Sequence, residues 1–221
     1  SAQTPPRCSQ NVSSGTTYST QIFSGGKQNI YSTGLAKNTV IHASGSQIVY
    51  SVGKISGTTI SSGGTLQISN GGSALATVVQ SGGNFSILTG GYASGGTVSA
   101  GGNYTVSSGG TASSITVLAG ATQNIANGAI VNGVVIGKNA IQYLSGSSYN
   151  DNITGSQVIL ISGKSYSAKI SSGGVQVISS GGSAISATVS SGGAQKVYGG
   201  RALNTRILAN GVQNVLSGTA Y

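Results

Sequence analysis

Acidic residues are almost absent from this chain, whose 221 residues include one Asp, Asp151, and no Glu. Mechanisms that need two carboxylates, as in glycosidases and aspartic proteases, are therefore excluded within the chain. The single His and the single Cys, His42 and Cys8, cannot complete a zinc site. A Ser-His-Asp triad could use only His42 and Asp151, and we interpret His42 as a surface or strand-end residue. We predict a protein with no enzymatic activity and no cofactor.

Other absences restrict the class of protein further. One Cys cannot form an internal disulfide, and no apolar run reaches the length of about 18 residues that a membrane-spanning helix needs. The net charge of +9 comes from ten scattered cations, which predict solubility and weak attraction to anionic polysaccharide, and no nucleic-acid partner. These cations are Arg7, Lys27, Lys37, Lys54, Lys138, Lys164, Lys169, Lys196, Arg201 and Arg206.

What the chain does contain is glycine, 38 residues of it, together with many Val, Ile, Ser and Thr residues in a repeat. The repeat is marked by the residue just before each segment of the type xQxV, and successive markers stand 17 to 19 residues apart. We therefore predict one repeat domain over residues 1–221, with a lead-in at 1–7 and repeats over 8–221. The markers are Cys8, Gly26, Gly45, Gly64, Gly83, Gly102, Ala121, Asn139, Ser156, Gly174, Gly193 and Gly211.

Three columns of apolar or small residues keep a fixed distance from the markers. Four residues after each marker stand Val12, Ile30, Val49, Ile68, Ile87, Val106, Ile125, Tyr143, Leu160, Ile178, Val197 and Val215. Four residues before each marker from Gly26 onward stand Ile22, Ile41, Ile60, Val79, Val98, Val117, Val135, Asn152, Ile170, Val189 and Ile207. The third column contains Ala36, Ile55, Ala74, Ala93, Ala112, Val131, Ala184 and Ala202, with tyrosine in its place at Tyr18, Tyr149, Tyr166 and Tyr221.

The three columns predict an all-β fold, a parallel β-helix in which each repeat is one rung. A period of 17 to 19 residues is too short for two packed helices, and polar residues alternate with the apolar ones as in half-buried strands. Glycines are expected at the corners, and about twelve rungs stack to form one core. The segment SSYNDNITGS, residues 147–156, has the shortest spacing and the only acid, so we expect a distorted corner there.

The repeat resembles that of a known family. The segments SSGGVQVISSGGSAISATVSSGGAQKV (171–197) and SNGGSALATVVQSGG (69–83) are similar to the repeat of the self-associating autotransporter adhesins of Gram-negative bacteria, the AIDA and TibA group. The resemblance extends from Cys8 to the end of the chain. It implies a right-handed β-helix that is part of a longer passenger. The passenger passes through the cytoplasm and periplasm, and a C-terminal β-barrel translocator carries it to the outer membrane surface, where it stays or is released into the medium.

The resemblance also implies function and partners. Members of the group promote bacterial aggregation, biofilm formation and attachment to host cells, so identical passengers on neighbouring cells and the host surface are the expected partners. Several members carry heptose on serine, added by a dedicated cytoplasmic glycosyltransferase before export, so a heptosyltransferase is also an expected partner. The candidate acceptors are the serines of the Ser-Gly-Gly units, and their hydroxyls could instead bond to local backbone. They are Ser24, Ser62, Ser81, Ser94, Ser108, Ser172, Ser180 and Ser191.

The same scaffold could serve two other functions. A polysaccharide lyase would need acidic calcium ligands, which the chain lacks. An ice-, mineral- or glycan-binding solenoid without glycosylation is the second alternative, and ice or mineral binding would need a flat, regular array of Thr. Thr59, Thr77 and Thr116 suggest such a column, but the matching places elsewhere vary. Because acids are scarce, association between copies is expected to depend on hydrogen bonds of Asn, Thr and Ser and not on opposite charges.

Overall fold

The fold is known from a computed structural model that describes residues 3–4 and 8–221. The rest of the predicted lead-in, residues 1–2 and 5–7 with the cation Arg7, lies outside the described residues. The described chain is an all-β, parallel β-solenoid of about 11 turns with a spacing of about 19 residues and no helix. The predicted fold class is thus confirmed.

The solenoid divides into two compact units, Ser1–Ala112 and Ser113–Tyr221. Strand β16 (Thr111–Ser113) contains the boundary between them. In the first unit the strands are β1 (Gln3–Thr4), β2 (Ser9–Val12), β3 (Thr16–Tyr18), β4 (Gln21–Ile22), β5 (Lys27–Ile30), β6 (Leu35–Lys37), β7 (Val40–Ile41), β8 (Ser46–Val49), β9 (Lys54–Ser56), β10 (Thr59–Ile60), β11 (Thr65–Ile68), β12 (Ser73–Val79), β13 (Asn84–Ile87), β14 (Tyr92–Val98) and β15 (Asn103–Val106).

The second unit continues the same cycle of strands. It contains β17 (Thr116–Val117), β18 (Thr122–Ile125), β19 (Ile130–Asn132), β20 (Val135–Ile136), β21 (Ile141–Leu144), β22 (Ser147–Tyr149), β23 (Asn152–Ile153), β24 (Ser156–Ile159), β25 (Lys164–Tyr166), β26 (Lys169–Ile170), β27 (Val175–Ser179), β28 (Ser183–Ile185), β29 (Thr188–Val189), β30 (Ala194–Leu203), β31 (Arg206–Ile207) and β32 (Val212–Ala220).

Each regular turn consists of a four-residue, a three-residue and a two-residue strand. Every strand pairs in parallel with the equivalent strand of the next turn, as β5 does with β8, β6 with β9 and β7 with β10. The register places like residues above one another, for example Ile30 beside Val49 and Ala36 beside Ile55. No single turn could bury its apolar residues alone, so the stack of turns creates the core.

Most of the predicted inward columns are confirmed. In the first unit the residues four after the markers, from Val12 to Val106, are buried, and so are the residues four before them, from Ile22 to Val98. The third column is buried at Ala36, Ile55, Ala74, Ala93 and Ala112. In the second unit the buried members are Val117, Ile125, Val131, Ile170, Ile178, Ala184, Val189, Val197 and Ala202.

The prediction was wrong around residues 135–160. Tyr143 is exposed and Leu160 half-buried, whereas their neighbours Leu144 and Ile159 are buried. The reason is that the turn joining Gln142 to Gln157 has a step of 15 residues, outside the predicted range, so the markers Asn139 and Ser156 were each one residue out of phase. A one-residue slip moves a side chain to the other face of a strand.

The same slip affects the second column. Ile136 and Ile153 are buried in place of Val135 and Asn152, both of which are exposed. Ile207 and Val215 are exposed as well, because no further turn of the described chain covers them.

The tyrosines predicted for the third column also face outward. The residue before each of these tyrosines takes the inward place, and these residues are Thr17, Ser148, Ser165 and Ala220. The rings of Tyr149 and Tyr166 instead stack outside, with centroids 4.8 Å apart and planes 6° from parallel. A tyrosine outside keeps its hydroxyl in water, where it needs no buried partner.

The core contains a ladder of buried glutamines that the sequence pattern did not predict. In the first unit the side-chain amide of Gln28 donates to Gln10 Oε1 (2.6 Å), and that of Gln47 donates to Gln28 Oε1 (2.5 Å). The second unit has its own unbroken ladder, formed by Gln123, Gln142, Gln157, Gln176, Gln195 and Gln213 at 2.6–2.9 Å. Each amide inside the ladder is therefore both donor and acceptor, which offsets the cost of burying it. Gln123, where the ladder of the second unit begins, accepts from Gln142 but has no acceptor for its own Nε2.

In the first unit the ladder gives way to apolar residues. The residues that follow Gln47 in the same column are Leu66, Phe85 and Tyr104. The rings of Phe85 and Tyr104 meet edge to face, with centroids 4.9 Å apart. Buried Thr58 still donates to Gln47 Oε1 (3.2 Å), but one turn later the hydroxyl of Thr77 is buried without a partner. Tyr104 Oη, in the same column, and Gln123 Nε2, at the start of the ladder of the second unit, are also buried without a partner, so the interruption of the ladder is accompanied by three unsatisfied polar atoms, each at a cost of about 1–3 kcal/mol.

The inward assignment predicts opposite tolerance of charge on the two faces. Ile87→Asp or Val106→Asp buries an unpaired carboxylate and should lower the free energy of unfolding by several kcal/mol. Ser108→Asp places the same charge on an exposed corner and should have almost no effect. Denaturant unfolding of the three variants checks this, and equal tolerance at the three positions would contradict the assignment.

The ladder predicts that an isolated apolar replacement is harmful. Gln176→Leu removes the acceptor of Gln195 Nε2 and the donor to Gln157 Oε1, so two buried polar atoms lose their partners. We expect the free energy of unfolding to fall by about 2–5 kcal/mol, although leucine occurs naturally in this column at Leu66. Chemical denaturation measures the loss, and a variant as stable as the parent chain would show that the ladder contributes little.

Candidate functional site

The candidate acceptor serines lie at the corners of the turns. Corner one precedes the four-residue strand, corner two follows it, and corner three joins the three-residue and two-residue strands. Seven of the eight candidates are exposed in the first two corners. Corner one contains Ser24, Ser62 and Ser81 in the first unit and Ser172 and Ser191 in the second, whereas corner two contains Ser108 and Ser180.

Corner one is a tight turn whose shape depends on glycine. At Ser62 the amide of Gly64 donates to the carbonyl of Ser61 (2.9 Å), which closes a four-residue turn with Ser62 and Gly63 at its tip. Gly63 has a φ of +74°, as the third residue of a type II turn requires. The amide of Gly63 in turn donates to the carbonyl of Gly82 on the next turn (2.9 Å). The turn therefore fixes the backbone and leaves the serine side chain outside.

The glycine of the next turn also gives the serine hydroxyl room. A Cβ atom on Gly82 would lie 2.5 Å from Ser62 Oγ, and one on Gly101 would lie 2.8 Å from Ser81 Oγ. Both distances are shorter than real contacts, so a side chain at either glycine would force the serine hydroxyl to move. The glycines therefore let these hydroxyls keep their position beside the next turn.

Ser94 differs from the other seven candidates. It lies inside β14, where it pairs with Leu75, and Gly95 after it has a φ of +64° at corner three. Ser94 is half-buried. The Ser-Gly-Gly pattern therefore brought together two different kinds of corner.

Sequence reasoning missed a second set of exposed corner serines. At several corners a serine itself adopts positive φ, no pair of glycines follows it, and the Ser-Gly-Gly pattern does not detect it. The signal that could have found these serines is their distance of one repeat from another corner residue. The set consists of Ser19, Ser32, Ser44, Ser114, Ser162, Ser167 and Ser186.

The two residues available for a triad have other partners. The His42 ring lies 2.8 Å from Gln21 Oε1 and stacks on Phe23 with centroids 4.6 Å apart. Asp151 is fully buried and accepts hydrogen bonds from the Val134 amide (3.1 Å) and from Gln157 Nε2 (3.0 Å). Each is therefore held by groups that a triad does not use.

Burial decides the charge of Asp151. Loss of hydration raises the pKa of this carboxyl to about 7, even though hydrogen bonds to it favour the ionised form. Because Asp151 is the only acidic side chain of the sequence, the surface of the described residues presents no side-chain carboxylate to offset the cations. The outside of the chain is thus hydroxyl-rich and positively charged.

Some structural features of other site types are absent from the described residues. They contain no group of three metal-ligating side chains and form no pocket. Among them there is also no helix long and apolar enough to cross a membrane.

Comparisons with known proteins agree with the geometry. Residues 31–83 match a family described as "adhesin of bacterial autotransporter system, probable stalk". The chain is also similar to the crystal structure of a TibA fragment, residues 55–350, hyper-glycosylated by TibC catalysis. The two share 32% sequence identity with a TM-score of 0.82, over 96% of this chain and 94% of the fragment. A search of curated proteins found no match.

Asp151 predicts a pH dependence of stability. Its pKa is about 7 in the folded state and about 4 when unfolded, so the folded chain binds more protons between these values and stability falls as pH rises from 4 to 7. The loss is about 4 kcal/mol at most and is complete above pH 7. Asp151→Asn should remove this component. Urea unfolding of both proteins from pH 4 to 8 measures it, and parallel pH profiles would contradict the prediction.

Proposed function

Because this chain belongs to the AIDA and TibA type of autotransporter adhesins, as part of the passenger, we propose that it is a glycosylated surface segment. In this function the exposed corner serines carry O-linked heptose, and the decorated surface promotes aggregation of bacteria, biofilm formation and attachment to host cells. The passenger acts on the outer surface of the bacterium or after release. The fold supplies the scaffold, and the corners supply the groups that are modified.

The observation that supports glycosylation is the repeated exposure of serine beside glycine. Ser62 and Ser81 occupy corner one on consecutive turns, as do Ser172 and Ser191 in the second unit, and all four are exposed. Gly82 and Gly101 leave space next to the first two hydroxyls. A transferase can therefore meet many equivalent acceptors, each held in the same backbone shape. The similar TibA fragment is hyper-glycosylated by TibC catalysis, which suggests a related transferase as the partner here.

The chemistry requires only a hydroxyl from this chain. The serine Oγ forms a bond to the anomeric carbon of a nucleotide-activated heptose, and the nucleoside diphosphate leaves with the electron pair of the broken carbon–oxygen bond. The serine proton passes to a base of the transferase. All the catalytic groups belong to the transferase, which agrees with the scarcity of acids and of histidine in this chain.

Adhesion between copies needs contacts other than opposite charges. The formal net charge is +9 and the single acidic side chain is buried, so unmodified copies repel one another at low salt. Sugars on the corners add hydroxyls that can donate and accept hydrogen bonds across a contact. We infer that the sugar layer, and not the bare protein, supplies most of the contact between cells.

The ice-binding alternative loses its main support. Thr77 faces the core, and the register partners of Thr59 are Val40 and Val78. Thr116 is likewise paired with Val135. These threonines therefore do not form the flat column that their spacing suggested.

Intact mass tests the proposal. Coexpression with a heptosyltransferase of the TibC kind should add mass in steps of one heptose, because many equivalent hydroxyls are exposed. Replacing the seven exposed candidates by Ala should remove a large part of the gain, whereas Ser94→Ala, at the half-buried position, should change little.

Two results would count against the proposal. The first is a parent chain that gains no mass with the transferase, and the second is a seven-site variant that gains as much as the parent. Aggregation of cells that display the two chains, measured by settling, separates modification from adhesion. If cells that display modified chains stay dispersed, the glycosylation proposal holds and the proposed adhesive role is wrong.

A further inference from the structure

Four cations that are scattered in the sequence come together in the second unit. Lys164 begins the three-residue strand before corner three and Lys169 begins the two-residue strand after it, and Arg201 and Arg206 occupy the equivalent register positions two turns later. All four side chains are exposed. We propose that this group, the basic corner, binds an acidic polysaccharide, a glycan chain that carries sulfate, carboxylate or phosphate groups. The proposal rests on the proposed function insofar as the passenger must meet such glycans at a cell surface.

The register fixes the arrangement of the cations. Ser183 separates Lys164 from Arg201 along one row, and Thr188 separates Lys169 from Arg206 along the other. Neighbouring parallel strands are about 4.8 Å apart, so the two cations of each row stand about 10 Å apart at the backbone. Two parallel rows with this spacing can contact successive anionic groups of one extended chain.

Among the described residues, no exposed side chain of opposite charge neutralises the basic corner. Lys164 lies beside Ser147 and Lys169 beside Asn152 in the preceding turn, so the adjacent outward side chains are polar and uncharged. The only acidic side chain, Asp151, precedes Asn152 but is buried and bonded to Val134 and Gln157. Four like charges without a partner repel one another, and an anionic ligand relieves this repulsion.

The surroundings favour a glycan over a nucleic acid. Single-stranded nucleic acid binds through bases that stack on open aromatic faces. Beside Lys164, the rings of Tyr149 and Tyr166 cover one another, and Asn132 and Ile185 flank the pair in register. The faces of these rings are thus occupied. Hydroxyl groups of Ser183, Thr188 and the tyrosines remain available for hydrogen bonds to sugar hydroxyls.

Binding of unglycosylated full chain to defined polymers tests the proposal. The probes are heparin, a sulfated polysaccharide, and purified lipopolysaccharide, which is phosphorylated, with neutral dextran as the uncharged reference. The basic-corner variant replaces Lys164, Lys169, Arg201 and Arg206 by Gln. Its matched control replaces Lys27, Lys37, Lys54 and Lys138 by Gln, which lowers the net charge of +9 by the same four units.

We expect the basic-corner variant to bind heparin or lipopolysaccharide at least about tenfold more weakly than the parent and with a flatter salt dependence, because about four ion contacts are lost. The control variant should change by less than about threefold. The anionic probe that binds more tightly identifies the source of the ligand. Equal loss in both variants, or no binding of either anionic probe, would overturn the proposal, since net charge alone would then explain the behaviour.

Two further measurements complete the test. Duplex DNA at the same salt concentration should bind more weakly than the preferred glycan, and equal or tighter binding would overturn the assignment to polysaccharide. The half-variants Lys164→Gln with Lys169→Gln, and Arg201→Gln with Arg206→Gln, should each lose part of the affinity while their circular dichroism stays that of the parent. Heptose addition should be unchanged in the basic-corner variant, so failure of the glycosylation proposal and failure of glycan binding give different results.

Discussion

Parallel register between successive turns is the interaction on which the rest of this structure depends. Backbone N–H groups of one turn donate to carbonyl groups of a neighbouring turn, and this pairing sets residues one repeat apart above one another. This stacking collects isoleucine and valine into a core that no single repeat could form. It also sets the corner serines in rows and gathers distant cations, so the chemistry of the outside follows from the same alignment.

The buried glutamines show how that alignment uses polar residues. A lone glutamine in an apolar interior would leave its amide unsatisfied, but a column of them satisfies each amide from the turns on either side. The requirement is collective, because one member supports the next. Where the first unit changes to Leu66 and Phe85, the apolar residues are contiguous too, and the burial of Thr77 without a partner marks the change.

Much of the fold was predictable because apolar residues recur in the sequence every 17 to 19 residues. Val49, Ile68 and Ile87 could be assigned to the core from spacing alone, and the structure confirms them. The spacing gave a wrong prediction at Tyr143, because the shortened turn shifted the repeat by one residue. It could not identify Gln176 as a core residue, because polar side chains usually lie at the solvent-exposed surface. For the candidate site, the exposure of Ser62 followed from its turn residues. The half-burial of Ser94 did not, because the same three letters occur at a different corner.

The shortened turn has a consequence for how such a chain finds its fold. Nearly identical repeats can pair in a register that is shifted by a whole repeat and still bury similar residues. A repetitive sequence can therefore misalign during folding. The turn from Gln142 to Gln157 fits poorly at any other position in the stack. Its length of 15 residues and the hydrogen bond from the Val134 amide to Asp151 have no equivalent elsewhere among the described residues. An irregularity of this kind therefore favours one alignment of the turns over alignments that are shifted by a whole repeat.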